Sequence, residues 1–381
     1  VLHQDRPENH SVWLDLIART RVASALFIND FWEVIKLNMH LHFSRLFSAS
    51  FILILASALL HAGPSGYHIT KKFTLGGVGT WDYLTVDSKA RRIYISRSTH
   101  VMVVDADTAA VLGDIPNTNG VHGIAIAPDF DKGFISDGRD GTVTIFDLKT
   151  LKVLGTAPTG KNPDAIIYDP VSKRVFAFNG TSKDATAIDA RMGTVVGTIP
   201  LGGKPEFAVA DERGHVFVNI EDESEIIQFD SNKLVVENHW SIAPGEEPSG
   251  LAMDRKHRRL FSVCSNKLMV IVNADNGKVI TTLPIGAGTD AAGFDPETGY
   301  AFSSNGDGTL TVAHEDSPEK FSIIENIPTL RRARTMALDT KTHEVYTVSA
   351  EFGQTPAPTT EQPRPRPPMV PGTFTLLVLA R

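Results

Sequence analysis

Residues 122–160 read HGIAIAPDFDKGFISDGRDGTVTIFDLKTLKVLGTAPTG, and this stretch decides the fold. It holds four short runs rich in Val, Ile, Thr and Phe: HGIAIA, KGFIS, TVTIFD and LKVLGTAP. Asp, Gly and Pro separate them, and no run sustains a helical period. Short β-branched runs bounded by turn residues are strands, and Gly/Asp connections of a few residues make hairpins. The stretch predicts a four-stranded antiparallel meander whose first strand carries the small and apolar residues Ile124, Ala125, Ile126 and Ala127.

The same grammar recurs along the chain. First strands open as DYLTVD at 82, HGIAIAPD at 122, DAIIYDP at 164, EFAVAD at 206, SGLAMD at 249, DAAGFDP at 290 and RTMALD at 334, at intervals of 40, 42, 42, 43, 41 and 44 residues. Four strands in that period make a propeller blade. Seven units predict an all-β, seven-bladed β-propeller of four-stranded antiparallel blades. Strand counting also predicts how the ring closes. YHITKKFTLGG, residues 67–77, has the fourth-strand pattern but no blade of its own; the seventh unit ends in GTFTLLVLAR, a third strand without a fourth. The N-terminal outer strand is expected to pair with the C-terminal third strand, hiding both edges. Ahead of that last strand, residues 350–371 form a Pro-rich insertion where other units have a short turn. It reads either as a grafted binding feature or as an extended loop.

Four segments, YISRSTHVMVVDADTAAVLGDIPN, FISDGRDGTVTIFDLKTLKVLGTAPTGKNPD, FAFNGTSKDATAIDARMGTVVGTIPLGGKPE and FSVCSNKLMVIVNADNGKVITTLPIG, resemble the blades of the YVTN-repeat, or YncE-like, β-propellers of exported bacterial proteins. The resemblance spans residues 67–381. The literal YVTN tetrapeptide is absent, YISR and YTVS being the nearest forms, so it points to the broad family. It implies the fold and leaves the activity open, because one fold hosts many roles.

Residues 46–60, LFSASFILILASALL, follow Arg45 and run into small residues, the form of a secretory signal, and are shorter than a bilayer-spanning helix. Residues 39–62, starting at Met39, are assigned as a signal peptide cleaved after Ala58 or Ala62. Residues 1–38 read as untranslated upstream sequence or as a long leader. The expected destination is the periplasm or the exterior. Residues 1–62 carry five Lys/Arg and five Asp/Glu, so the formal net charge of −7 belongs to the remainder. An acidic protein is a poor binder of phosphate backbones, so nucleic acid is not an expected partner. Cys264, the single cysteine, excludes an internal disulfide and a C-x-x-C-H haem attachment, and reads as a core residue.

In such a propeller, the residues that open the inner strands ring one mouth of the central channel: Asp82, His122, Asp164, Glu206, Ser249, Asp290 and Arg334, with Trp81 beside Asp82. They read as a binding site or as the polar lining of a hydrated channel. Among them Asp164, Glu206 and Asp290 are the candidates for holding a divalent cation. An acidic sector (Glu221, Asp222, Glu223, Glu225, Glu246, Glu247) is expected nearly opposite a basic one (Arg331, Arg332, Arg364, Arg366). The expected function is a non-enzymatic, monomeric, exported scaffold that binds a protein or a small polar ligand through this face, without a cofactor. The alternatives are a metal-dependent hydrolase resembling propeller lactonases and, third, a propeller carrying a redox cofactor. No Gly-rich phosphate loop, H-E-x-x-H or G-x-S-x-G occurs in the propeller.

Overall fold

The computed structural model describes residues 64–381 except 361, 362 and 364. Segments 1–38 and 39–62, and Arg364, lie outside the described residues. The described chain forms 28 strands in seven four-stranded antiparallel sheets, and in six of these the spatial order follows the sequence. We number the blades by their innermost strands: Leu84–Asp87 (blade 1), Val121–Ala127 (2), Pro163–Asp169 (3), Pro205–Ala210 (4), Pro248–Asp254 (5), Thr289–Asp295 (6) and Met336–Asp339 (7). Among the described residues no helix is long and apolar enough to cross a membrane.

The cores lie between neighbouring blades. Phe134, Val143 and Ile145 of blade 2 share one buried cluster with Ile166, Val175, Ala177 and Ile188 of blade 3. Inner strands are rich in small residues, with Ala125, Ala165, Ala208, Ala252 and Ala337 all buried, which lets seven strands converge on one axis. Outer strands such as Val153–Pro158 are mostly exposed, as their mixed composition requires.

Blade 7 is assembled from both ends of the propeller. His68–Thr74 pairs antiparallel with Thr375–Ala380, with Phe73 opposite Leu376 and Thr74 opposite Thr375. Thr375–Ala380 in turn pairs with Glu344–Ser349, giving the expected closure. The closing strand is buried on both faces: Phe374, Leu376 and Val378 pack towards blade 1, while Leu377 and Leu379 pack towards blade 6.

The inner strands of blades 1 and 7 start two residues later than the sequence pattern implied. Asp82 and Tyr83 give their backbone N–H groups to Ser96 Oγ, and Thr347 Oγ1 donates to the Thr335 carbonyl, so side chains replace the first ladder bonds. Asp82 and Arg334 therefore sit on links between blades. The Pro-rich insertion is paired at its base: Phe352 bridges Met369, Gly353 N–H donates to the Pro368 carbonyl at 2.9 Å, and Val370 N–H donates to the Glu351 carbonyl at 2.8 Å.

Candidate functional site at the channel mouth

Links between blades and second-to-third-strand turns share one face. There Trp81, Asp82, His122, Asp164, Glu206, Ser249, Asp290 and Arg334 line a single cavity of about 640 Å³. Glu221 and Glu247 of the acidic sector and Arg366 of the basic sector line it as well. The other described sector residues lie outside that lining. Asp222 is held by Lys183 at 2.6 Å and Glu225 by His239 at 2.9 Å, while Glu223 and Glu246 do not reach the cavity. Arg331 and Arg332 face a neighbouring cavity under the Pro-rich insertion, where the Arg332 guanidinium lies 4.0 Å above the Phe352 ring.

Within the cup three basic side chains each bridge two carboxylates. His122 Nδ1 is 2.6 Å from Asp82 Oδ2 and 3.5 Å from Asp164 Oδ1. Arg334 is 3.5 Å from both Asp82 and Asp290. Lys204 Nζ donates to Glu206 at 2.6 Å and also to Glu221. Five carboxylates are thus threaded on three cations. Gly138 makes room for this arrangement: a Cβ there would lie 2.7 Å from His122 Nε2.

The floor of the cup is aromatic. Tyr83 from blade 1 stacks on Phe207 from blade 4 across the axis, with centroids 4.7 Å apart and planes at 22°. The Tyr83 hydroxyl is buried without a hydrogen-bond partner, and burial, then the charges of Asp164 and Glu206, push its ionisation well above the ordinary range. Sequence reasoning did not single out Lys204, Tyr83 or Phe207. The signal for the two rings was their place, one residue after Asp82 and Glu206, at the same phase of the repeat.

Burial in this cup perturbs the acids. Desolvation, followed by the charge of Asp164, raises the Glu206 carboxyl to about 8. Desolvation raises Asp290 to about 7 against the opposing pull of Arg334. Asp164 is raised for the same first reason. His122 is lowered by desolvation, but the hydrogen bond to Asp82 and the charge of Asp164 outweigh this and leave it raised. Groups so arranged can exchange protons near neutrality and favour an incoming cation.

At the mouth, the described donors that lie within metal-ligand reach of one another are Asp82, His122 and Asp164. This differs from the set Asp164, Glu206 and Asp290 read from the sequence: Lys204 occupies Glu206, and Arg334 occupies Asp290. Elsewhere, Cys264 is fully buried and its thiol is pushed up to about 12 by burial. Asn179, in a glycosylation-type N-G-T, is buried and donates to Asp184 and Thr186.

No family model matches the chain, and no curated protein matches it by sequence. Solved structures do. The Kuenenia stuttgartiensis hydrazine synthase is similar at 15% identity and a TM-score of 0.62, over 72% of this chain and 95% of that one. A chain of a mitotic checkpoint complex is similar at 14% identity and 0.66, over 82% and 92%. The RRP9 WD40 repeats are similar at 9% identity and 0.68, over 84% and 99%. At such identities the likeness is one of fold, a seven-bladed β-propeller.

Proposed function

We propose that this chain is an exported, non-enzymatic binding propeller of the YVTN-repeat type, and that its mouth seats a polar ligand or protein segment bearing a positive charge. The observation that carries the reading is the cup lined by six carboxylates, Asp82, Asp164, Glu206, Glu221, Glu247 and Asp290, against His122, Arg139, Lys204, Arg334 and Arg366, in which His122, Lys204 and Arg334 are each shared between two acids. An ammonium or guanidinium entering it meets carboxylates already stripped of water, where attraction is strong. Glu206 and Asp290 are poised to lose protons as the positive charge arrives. A rigid closed ring presenting one chemically distinct face suits a binding platform, and one of the fold neighbours belongs to a multiprotein complex.

Calorimetry with spermidine, a trilysine peptide and citrate, each in two buffers of different ionisation enthalpy, tests the reading. Saturable binding of the cationic probes is expected, with buffer-dependent heat from proton release and about tenfold weakening in Glu206→Gln. Binding of citrate alone would reverse the assigned ligand charge. The export part is tested by sequencing the N-terminus of the protein from its source: a start just after Ala58 or Ala62 supports it, and retention of residue 39 counts against it.

The Asp82–His122–Asp164 donor set favours a second reading, a metal-dependent hydrolase in which those three side chains hold the ion. Metal analysis of wild type against Asp164→Asn separates it from the first.

A further inference from the structure

On the face opposite the mouth, the first hairpin of each blade turns through a left-handed residue. At four junctions that residue is basic and reaches a carboxylate of the preceding blade: Arg91 reaches Asp339, Lys173 reaches Asp129 at 2.5 Å, Arg258 reaches Asp211 at 3.0 Å, and His343 reaches Asp295 at 2.7 Å. The carbonyl of the turn also accepts a backbone N–H from the end of its own blade's third strand. The donor is Ala106 for Arg91, Leu148 for Asp131, Ala190 for Lys173, Ser231 for Gly214 and Ala274 for Arg258. The small or apolar side chains of these donors are buried.

Blade 6 changes both positions at once. Gly299 stands where the cation would be, and the donor to its carbonyl is Glu315. The third strand runs on for nine residues, Thr309–Ser317, against six in blade 2, and Arg259 Nε holds its tip through the Pro318 carbonyl at 2.7 Å. Asp254 of blade 5 therefore meets a second carboxylate in place of a cation. His257 Nδ1 lies between them, 2.8 Å from Asp254 Oδ2 and 2.7 Å from Glu315 Oε1. Both carboxylate side chains are only 3% exposed, and Glu315 Oε2 has no hydrogen-bond partner. The junctions at Asp131 and Glu212 also lack the cation, but there the third strand brings Leu148 or Ser231 and no second buried acid.

We propose that Asp254, His257 and Glu315 form a site for a divalent metal ion of the zinc class, between blades 5 and 6 and on the far side of the propeller from the mouth. Without an ion, two buried carboxylates share one imidazole and Glu315 Oε2 stays unpaired, a costly arrangement. A dication bound to a neutral imidazole balances both carboxylates. One nitrogen and two carboxylate oxygens match zinc or manganese better than calcium. Metal–donor bonds of about 2.0–2.1 Å set tetrahedral donors about 3.3 Å apart, so the imidazole nitrogen and each carboxylate oxygen need to part by only about half an ångström. Glu315 Oε2 is free to complete a bidentate grip. A cavity of about 300 Å³, lined also by Pro296, Gly299 and Asp316, gives the ion a way in.

The test is zinc titration of chelator-treated protein by calorimetry, with thermal unfolding followed in parallel. Wild type and the mouth variant Asp164→Asn are expected to bind one equivalent at this cluster and to melt higher with zinc. Glu315→Gln is expected to lose about 100-fold in affinity at that site. Glu315→Ala restores the residue type of blades 1, 3 and 5, so it should fold and show no zinc-induced shift. Absence of saturable zinc binding in wild type, or binding unchanged in both Glu315 variants, would overturn the proposal. Binding lost in Asp164→Asn and kept in Glu315→Gln would place the only ion at the mouth and overturn it as well.

Discussion

The two sides of the channel mouth are built from different parts of the chain. On the side of blades 3 and 4, Asp164, Lys204, Glu206 and Glu221 come from one continuous run of about sixty residues in which each link follows its own blade. On the side of blades 7 and 1, Trp81, Asp82, Arg334 and Arg366 meet only because His68–Thr74 pairs with Thr375–Ala380, some three hundred residues away in sequence. Trp81 packs on Phe374 at 5.2 Å, and the Arg97 guanidinium lies 3.8 Å over the same ring. One side of the site is therefore a property of local repeats, and the other is a property of ring closure.

Breaking the closure should have the largest effect. Deleting residues 372–381 removes a strand buried on both faces and leaves Glu344–Ser349 and His68–Thr74 as open edges. A loss of at least about 5 kcal/mol is expected, enough to abolish cooperative unfolding in a domain of ordinary stability. Urea unfolding measures it, and a truncated protein that unfolds like the intact one would show that the seam carries no weight. Phe374→Ala probes the seam with the strand in place. This fully buried ring sits between Trp81 and Arg97, and its truncation should cost about 3–5 kcal/mol. A matching truncation of a blade 4 residue, Phe229→Ala, should cost a similar amount without disturbing Trp81, so Trp81 fluorescence, read in a Trp240→Phe background because Trp240 lies in blade 4, distinguishes the two sides.

Why one side was easier to read in the sequence follows from the same contrast. The period, the blade count and the closing pair were legible because every blade restates the strand pattern, and an unmatched strand at each end has one place to go. Asp82, His122, Asp164, Glu206, Asp290 and Arg334 were legible as one group because they share a phase of the repeat. Lys204 was not, since it lies two residues earlier on a link that differs from blade to blade; it claims Glu206, as Arg334 claims Asp290, and so regroups the metal-type donors around His122. The Tyr83–Phe207 stack crosses the axis between blades 1 and 4, a contact that no local pattern encodes. Glu315 became legible only once backbone hydrogen bonds aligned it with Ala106, Ala190 and Ala274.

The side of blades 3 and 4 should announce itself through pH. The Glu206 carboxyl is raised from 4.5 to about 8, so between those values the folded protein holds a proton that the unfolded chain releases. The folded state then binds more protons, and stability falls as pH rises. Its contribution is complete below about 4.5 and is lost as pH climbs through about 8. The whole effect is on the order of a few kcal/mol. Glu206→Gln should flatten the urea midpoint across that window and leave the seam untouched. Equal slopes in the two proteins would mean that Glu206 is ionised throughout.

The smallest effect is expected at the Pro-rich insertion, which belongs to the seam by position but only partly by contact. Its base is fixed by the Phe352–Met369 bridge and by Arg332 over Phe352, whereas most residues from 354 to 360 are exposed. Replacing residues 354–366 with an Asn-Gly-Asp-Gly turn keeps the bridge and shortens the connection, a change in closure entropy of about 1 kcal/mol in favour of folding. The midpoint of unfolding should stay level or rise slightly. Because Arg366 leaves the cavity wall, spermidine should bind the mouth a few-fold more tightly, while Glu206→Gln still weakens it. A large drop in stability on shortening would instead make the insertion part of the closure, and the seam side would then rest on three segments of chain where two are enough to hold it here.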